Sequence, residues 1–151
     1  MGSVVHHTAV RVSDLEKSLL FYRDGLGMQV TVQGEFRGPW RHLFDAPGDT
    51  MEMIMLGDPA SPHAGTIELV RIPGAADSSE SAGPQGTGLL LISLYCDVDS
   101  TLARLARLGF GDGKRGEVST DGITVVMATV RDPDGVLVEL VDQTTGAQIT
   151  G

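Results

Sequence analysis

From residue 4 to residue 12 apolar and polar positions alternate. Val4, Thr8, Val10 and Val12 share one side with His6, while Val5, His7, Ala9 and Arg11 share the other. The valine side is the better core, so a strand over 4–12 turns His7 and Arg11 toward an open sheet face. Ser13 or Asp14 then supplies an N-cap. Leu15, Leu19 and Tyr22 recur at helical spacing, widened by Ser18 and Phe21, and predict a helix to about Asp24 that Gly25-Leu26-Gly27 ends. Strands are expected over 28–33, 51–56 and 66–72. An irregular segment with Gly34, Gly38 and Pro39 and a short stretch over 41–44 separate the first two of these.

Residues 73–88 hold no aliphatic side chain larger than alanine and read as a linker. After them the pattern restarts. A strand is expected over 89–96, a helix begins near Asp97-Val98-Asp99-Ser100 and runs over 101–108 on Leu102, Leu105 and Leu108, and Gly109-Phe110-Gly111 closes it. Residues 117–120 and 123–131 form a hairpin around Asp121-Gly122, and 136–141 is the last strand. The chain is thus one α+β domain, 1–151, built of two βαβββ modules: about 3–72, then about 89–143, with a tail over 144–151.

The last strand of each module carries one carboxylate in an aliphatic run. In the second module Asp132-Pro133-Asp134-Gly135 is a turn in which Pro133 fixes φ and Gly135 takes positive φ, and Val136-Leu137-Val138-Glu139-Leu140-Val141 follows. In the first, Gly57-Asp58-Pro59 precedes Thr66-Ile67-Glu68-Leu69-Val70. A charge so placed must be paired, bound to metal or turned to a cavity, or else the carboxyl is protonated. Arg11, Arg71 and Lys114 are the candidate structural partners.

Composition narrows the function. With 11 Lys and Arg against 20 Asp and Glu the 151-residue chain has a net charge of −9, which argues against nucleic acid as a partner. No apolar run approaches the roughly 20 residues of a membrane span. The N-terminal residues lack a basic region followed by an apolar one, so the cytoplasm is the expected setting. One cysteine, Cys96, excludes an internal disulfide and multi-cysteine zinc patterns, and reads as a small hydrophobe.

His7-Thr8-Ala9-Val10-Arg11-Val12-Ser13-Asp14-Leu15-Glu16-Lys17-Ser18, Phe21-Tyr22-Arg23-Asp24, Leu26-Gly27-Met28, Ile67-Glu68-Leu69 and Val138-Glu139-Leu140 after its Asp-Pro-Asp-Gly turn together resemble the vicinal oxygen chelate superfamily. Glyoxalase I, methylmalonyl-CoA epimerase, extradiol dioxygenases, fosfomycin-inactivating enzymes and bleomycin-binding resistance proteins belong to it. The resemblance implies a glyoxalase-like fold of cupped mixed sheets with helices on the convex side, and a homodimer. It also implies a divalent metal (zinc, magnesium, manganese, nickel or iron) held by one residue from the first and last strand of each module. Carried over by position these are His7, Glu68 and Glu139, and the remaining place falls on Leu90, or Leu89 in a second alignment, either of them aliphatic. The missing second imidazole argues against a ring-cleaving oxygenase.

Two functions follow. As an enzyme the protein would use Glu68 or Glu139 as catalytic base on a small carbonyl-containing or aromatic natural-product-type substrate, in a lyase or isomerase step assisted by metal. As a non-catalytic module it would sequester an aromatic or antibiotic ligand. Arg11, Trp40, His42, Ser93 and Tyr95 are the candidate substrate contacts in either case. His63, five residues before Glu68, would point to the opposite face if that strand extended so far, and is not expected to ligate. Phe36, Phe44, Met51, Met53 and Met55 read as core residues, a subset of which can line a pocket.

Overall fold

The alternation that assigns faces to the first strand also assigns it a neighbour, because a strand with one apolar side needs a sheet and a helix to cover that side. In the computed structural model, which describes residues 3, 5–61, 65–77, 87–120 and 122–145, the chain forms two compact units, Met1–Ser78 and Ser79–Gly151. Val4, His63, Asp121, most of the expected linker and most of the expected tail lie outside the described residues.

In the first unit β1 (His7–Arg11) is followed by α1 (Leu15–Leu19), β2 (Gln29–Arg37), α2 (Trp40–Phe44), β3 (Thr50–Gly57) and β4 (Thr66–Arg71). The sheet order is β1-β4-β3-β2, with β1 parallel to β4 and the other pairs antiparallel. Val10, Leu69 and Ile54 make one row across it and are all buried. α1 packs against β4, and burying side chains of this size contributes about 1.5–3 kcal/mol each. Asp14 caps α1 by accepting from the Lys17 amide at 3.1 Å.

The helix differs from expectation in its second half. Leu20–Gly25 is a π-helical turn, in which the Leu26 amide reaches back five residues to the Phe21 carbonyl at 2.9 Å. Widening the turn lets the adjacent Phe21 and Tyr22 both be fully buried beside Ser18 and Leu19. The expected irregular segment after residue 33 is also strand: β2 runs on through Gly34 to Arg37, with a bulge between Val30 and Val32. The stretch over 41–44 belongs to the short helix α2.

The second unit repeats the scheme with β5 (Ile92–Cys96), α3 (Val98–Arg107), β6 (Lys114–Thr120), β7 (Ile123–Arg131) and β8 (Leu137–Asp142), in the order β5-β8-β7-β6. The hairpin is longer and β5 shorter than the pattern alone indicates. Gly27 and Gly109, both at positive φ, stand just past the two helices, where a left-handed residue stops a helix. The turn before β8 forms as its residues require. Buried Asp132 accepts from the amides of Asp134 and Val136 at 2.9 and 2.8 Å, and Gly135 takes φ 89°.

Asp97 caps α3 by accepting from the Ser100 amide at 2.9 Å, and that bond holds its carboxyl below the ordinary value of 3.8. A carboxyl lowered by folding adds stability that is complete above its unfolded value and is lost as pH falls through the folded one. The thermal midpoint of Asp97→Ala is therefore expected below that of the unaltered protein from pH 7 down to about 5, with the gap closing below about pH 4. A gap that stays constant down to pH 3 would show that the cap is not the source.

Candidate functional site

Parallel pairing sets Ala9 opposite Glu68 and Arg11 opposite Val70, so His7, Ala9 and Arg11 stand with Glu68 and Val70 on the sheet face away from α1. Those five residues line a cavity of about 440 Å³, closed further by Met51, Met53 and Ile72 and by Trp40 and Phe44 of α2. That is the size of a small-molecule site. The alternation of β1 thus orients its histidine and arginine as their positions in the sequence indicate.

His7 Nε2 lies 3.2 Å from Glu68 Oε2, and the carboxylate side chain is the more buried of the two, 14% exposed against 37%. His7 Nδ1 is 2.8 Å from His6 Nδ1, with the rings edge to face. Glu68 therefore has an imidazole partner rather than an arginine. Arg11 donates to the Ala76 carbonyl and to Asp77 Oδ1, 3.3 Å away, and Arg71 donates to Glu52 Oε2 at 2.7 Å. Arg11 and Arg71, two of the three candidate structural partners, are thus engaged elsewhere.

Trp40 is held on two sides. Its indole N–H donates to the Phe36 carbonyl at 3.0 Å, and its six-membered ring lies over Gly38, where a Cβ would come within 2.7 Å of it. Phe44, one helical turn on, stacks against it with centroids 5.6 Å apart and planes 12° apart. Phe44 remains 58% exposed. Sequence reasoning placed Phe44 chiefly in the core, although its spacing of four from Trp40 is the signal that they share a helix face. His42, on the same helix, is exposed and does not line the cavity.

In the second unit Ser93 stands opposite Glu139, and Glu139 opposite Thr129, so its nearest strand neighbours are hydroxyls. Ser93 and Tyr95 are exposed and alternate along one face of β5. The matching registers, Ala9 with Glu68 and Ser93 with Glu139, pair the two glutamates as equivalent positions. They also correct the equivalent of His7. Counting two back from Ser93 gives Leu91, not Leu90, because Asp97 lies two residues beyond Tyr95 whereas Asp14 lies three beyond Arg11. The position is aliphatic all the same. Cys96 is partly buried, which pushes its thiol up.

The family described as the Glyoxalase/Bleomycin resistance protein/Dioxygenase superfamily matches residues 4–140. The chain belongs to that superfamily. A lactoylglutathione lyase-like protein of Aspergillus terreus is 38% identical over 147 residues, covering 92% of this chain and 75% of the relative. A lactoylglutathione lyase of Pseudomonas putida is 30% identical, with 93% and 86% covered. Among solved structures, the trypanothione-dependent glyoxalase I of Leishmania major superposes with a TM-score of 0.66 at 25% identity, over 99% of this chain and 93% of that one. A Bacillus cereus glyoxalase-family protein at 20% identity, TM-score 0.71 and coverage of 91% and 92%, supports the fold.

A divalent ion implied by this superfamily fits the His7–Glu68 pair as an open site. Two ligands of a tetrahedral zinc-like ion lie roughly 3.3 Å apart, close to the observed separation of the nitrogen and oxygen donors. Among the described residues no group of three His, Cys, Asp or Glu side chains gathers for a metal.

Because the indole rests on Gly38, Gly38→Ala is expected to displace Trp40 from Phe44. Trp40 is the sole tryptophan, so its emission reports this directly: a red shift and stronger iodide quenching, with the free energy of unfolding lowered by about 1–3 kcal/mol. Unchanged emission would mean that the ring does not depend on the glycine.

Proposed function

We propose that the protein is a glyoxalase-like lyase or isomerase that moves a proton on a carbon next to a carbonyl, with its chemistry centred on His7 and Glu68. The observation that carries this is the imidazole–carboxylate pair, 3.2 Å apart, set at the wall of a mainly apolar cavity of about 440 Å³. A carboxylate there is a base with one oriented partner and a mainly apolar surround. Glu68 takes the proton from carbon and returns it to the neighbouring position, so that no atom is gained or lost in the isomerisation. A divalent ion, when bound, supplies the positive charge that an enolate oxygen needs. His7 and Glu68 are the residues proposed to hold zinc, nickel, magnesium, manganese or iron. Glu139 has the matching position in the second unit and is proposed to serve the same chemistry there, as ligand or base, with Ser93 and Tyr95 as polar contacts. The names of the relatives put glutathione derivatives among the carbonyl compounds to test.

A second reading, capture of an aromatic ligand without turnover, is favoured by the Trp40–Phe44 wall. Solvent deuterium exchange into carbonyl substrates separates the two. Glu68→Gln is expected to slow exchange by about 10²–10⁴-fold and His7→Ala to lower metal content in protein purified without chelator. Absence of metal together with unchanged exchange in both Glu68→Gln and Glu139→Gln would sink the enzyme reading.

We also propose a homodimer in the cytoplasm. No helix among the described residues is long and apolar enough to cross a membrane. Sedimentation of the purified protein is expected to give twice the mass of one chain, and a single-chain mass at micromolar concentration would overturn the dimer.

A further inference from the structure

The walls of the first unit's cavity differ in kind. At one side stand His7 and Glu68, and Arg11 with its guanidinium turned to the Ala76 carbonyl and Asp77. The α2 side offers a ring. Trp40 has its N–H committed to Phe36 and its face committed to Phe44, so it acts as a fixed support. Phe44, stacked on that support, lines the cavity and keeps 58% of its surface exposed. An exposed aromatic ring on a rigid backing gains by accepting a third ring, since offset stacking adds to plain apolar burial.

Charge restricts the class further. Among the described lining residues Arg11 is paired with Asp77 and Glu68 with His7, so no lining cation stands without a carboxylate partner. An anionic group on the ring would lose its water at the apolar Trp40–Phe44 side of the cavity, where the described lining residues leave no unpaired cation to receive it. We infer that this cavity selects an uncharged aromatic carbonyl compound, its ring against Phe44 and its carbonyl toward the His7–Glu68 pair. Phe44 is the specificity-determining residue. The inference rests on the proposed function only in taking the first unit's cavity as the site.

Calorimetric titration of the full chain with three ketones tests it: acetophenone, cyclohexyl methyl ketone, which lacks the flat ring, and 4-acetylbenzoate, which adds a carboxylate. Acetophenone is expected to bind tightest. Phe44→Leu is expected to weaken acetophenone by roughly 3- to 10-fold while changing cyclohexyl methyl ketone less than 2-fold, and Phe44→Tyr to restore the difference. Thermal midpoints of both variants near that of the parent show that the fold is intact. Equal weakening of both neutral ketones, tighter binding of 4-acetylbenzoate, or no binding of any at millimolar concentration would overturn the inference. If ring selectivity is lost while exchange still depends on Glu68, only this inference fails. If selectivity holds while metal is absent and both Glu68→Gln and Glu139→Gln leave exchange unchanged, only the enzyme reading fails.

Discussion

Ala9 stands opposite Glu68 in the parallel pairing of β1 with β4, and that register settles which side chains of the first unit meet. A slip of β4 by one residue would turn Glu68 to the α1 face, beside Val10 and Ile54, where an unpaired carboxylate is costly, and would move Leu69 to the open side. The buried row Val10, Leu69, Ile54 and the cavity row on the other face therefore hold each other in place. His7 meets Glu68 because the core on the reverse side allows one register.

The aromatic corner depends on a different constraint. α2 has only five residues and buries none of them, so its own hydrogen bonds give it little stability. It is fastened by Trp40 lying on Gly38, by the indole bond to Phe36, and by Arg41 Nε on Asp49 Oδ1 at 3.1 Å, whose carbonyl also accepts from the Gly38 amide. A short helix fixed at its first residue can present its last, and Phe44 is the residue presented. Leaving an aromatic ring this exposed forgoes burial worth about 1.5–3 kcal/mol, which is a reason to look for a ligand on it.

Periodicity made the βαβββ repeat legible, since alternation in β1, the leucine spacing of α3 and the glycines after both helices are local signals. The faces of His7, Arg11 and Glu68 followed from the same alternation. What was not legible depends on contacts distant in sequence or on a single displaced residue. β2 continues through Gly34 because β3 pairs with it, though its own residues 34–37 look irregular. The π turn answers the need to bury Phe21 and Tyr22 together, which no helical template of 3.6 residues per turn anticipates. Counting from the helix caps gave Leu90 for the counterpart of His7, and strand register gives Leu91, because the connection to α3 is one residue shorter than that to α1. Phe44 looked like core because burial cannot be read from residue type alone.

The same register used twice supports two kinds of surface. In the first unit the row through the glutamate runs Ala9, Glu68, Met55, Val32, so the carboxylate sits in an apolar strip and finds its polar partner in His7, two residues along β1. In the second unit the equivalent row runs Ser93, Glu139, Thr129, Lys114. There the strand neighbours themselves supply hydroxyls on both sides and an ammonium one strand further. An imidazole at Leu91 would add a partner to a carboxylate already in polar company, whereas removing His7 would strand Glu68 among methionine and valine. The asymmetry of the two histidine positions thus matches the asymmetry of the strips: the first unit's carboxylate takes an imidazole as its partner, and the second unit's has hydroxyls beside it.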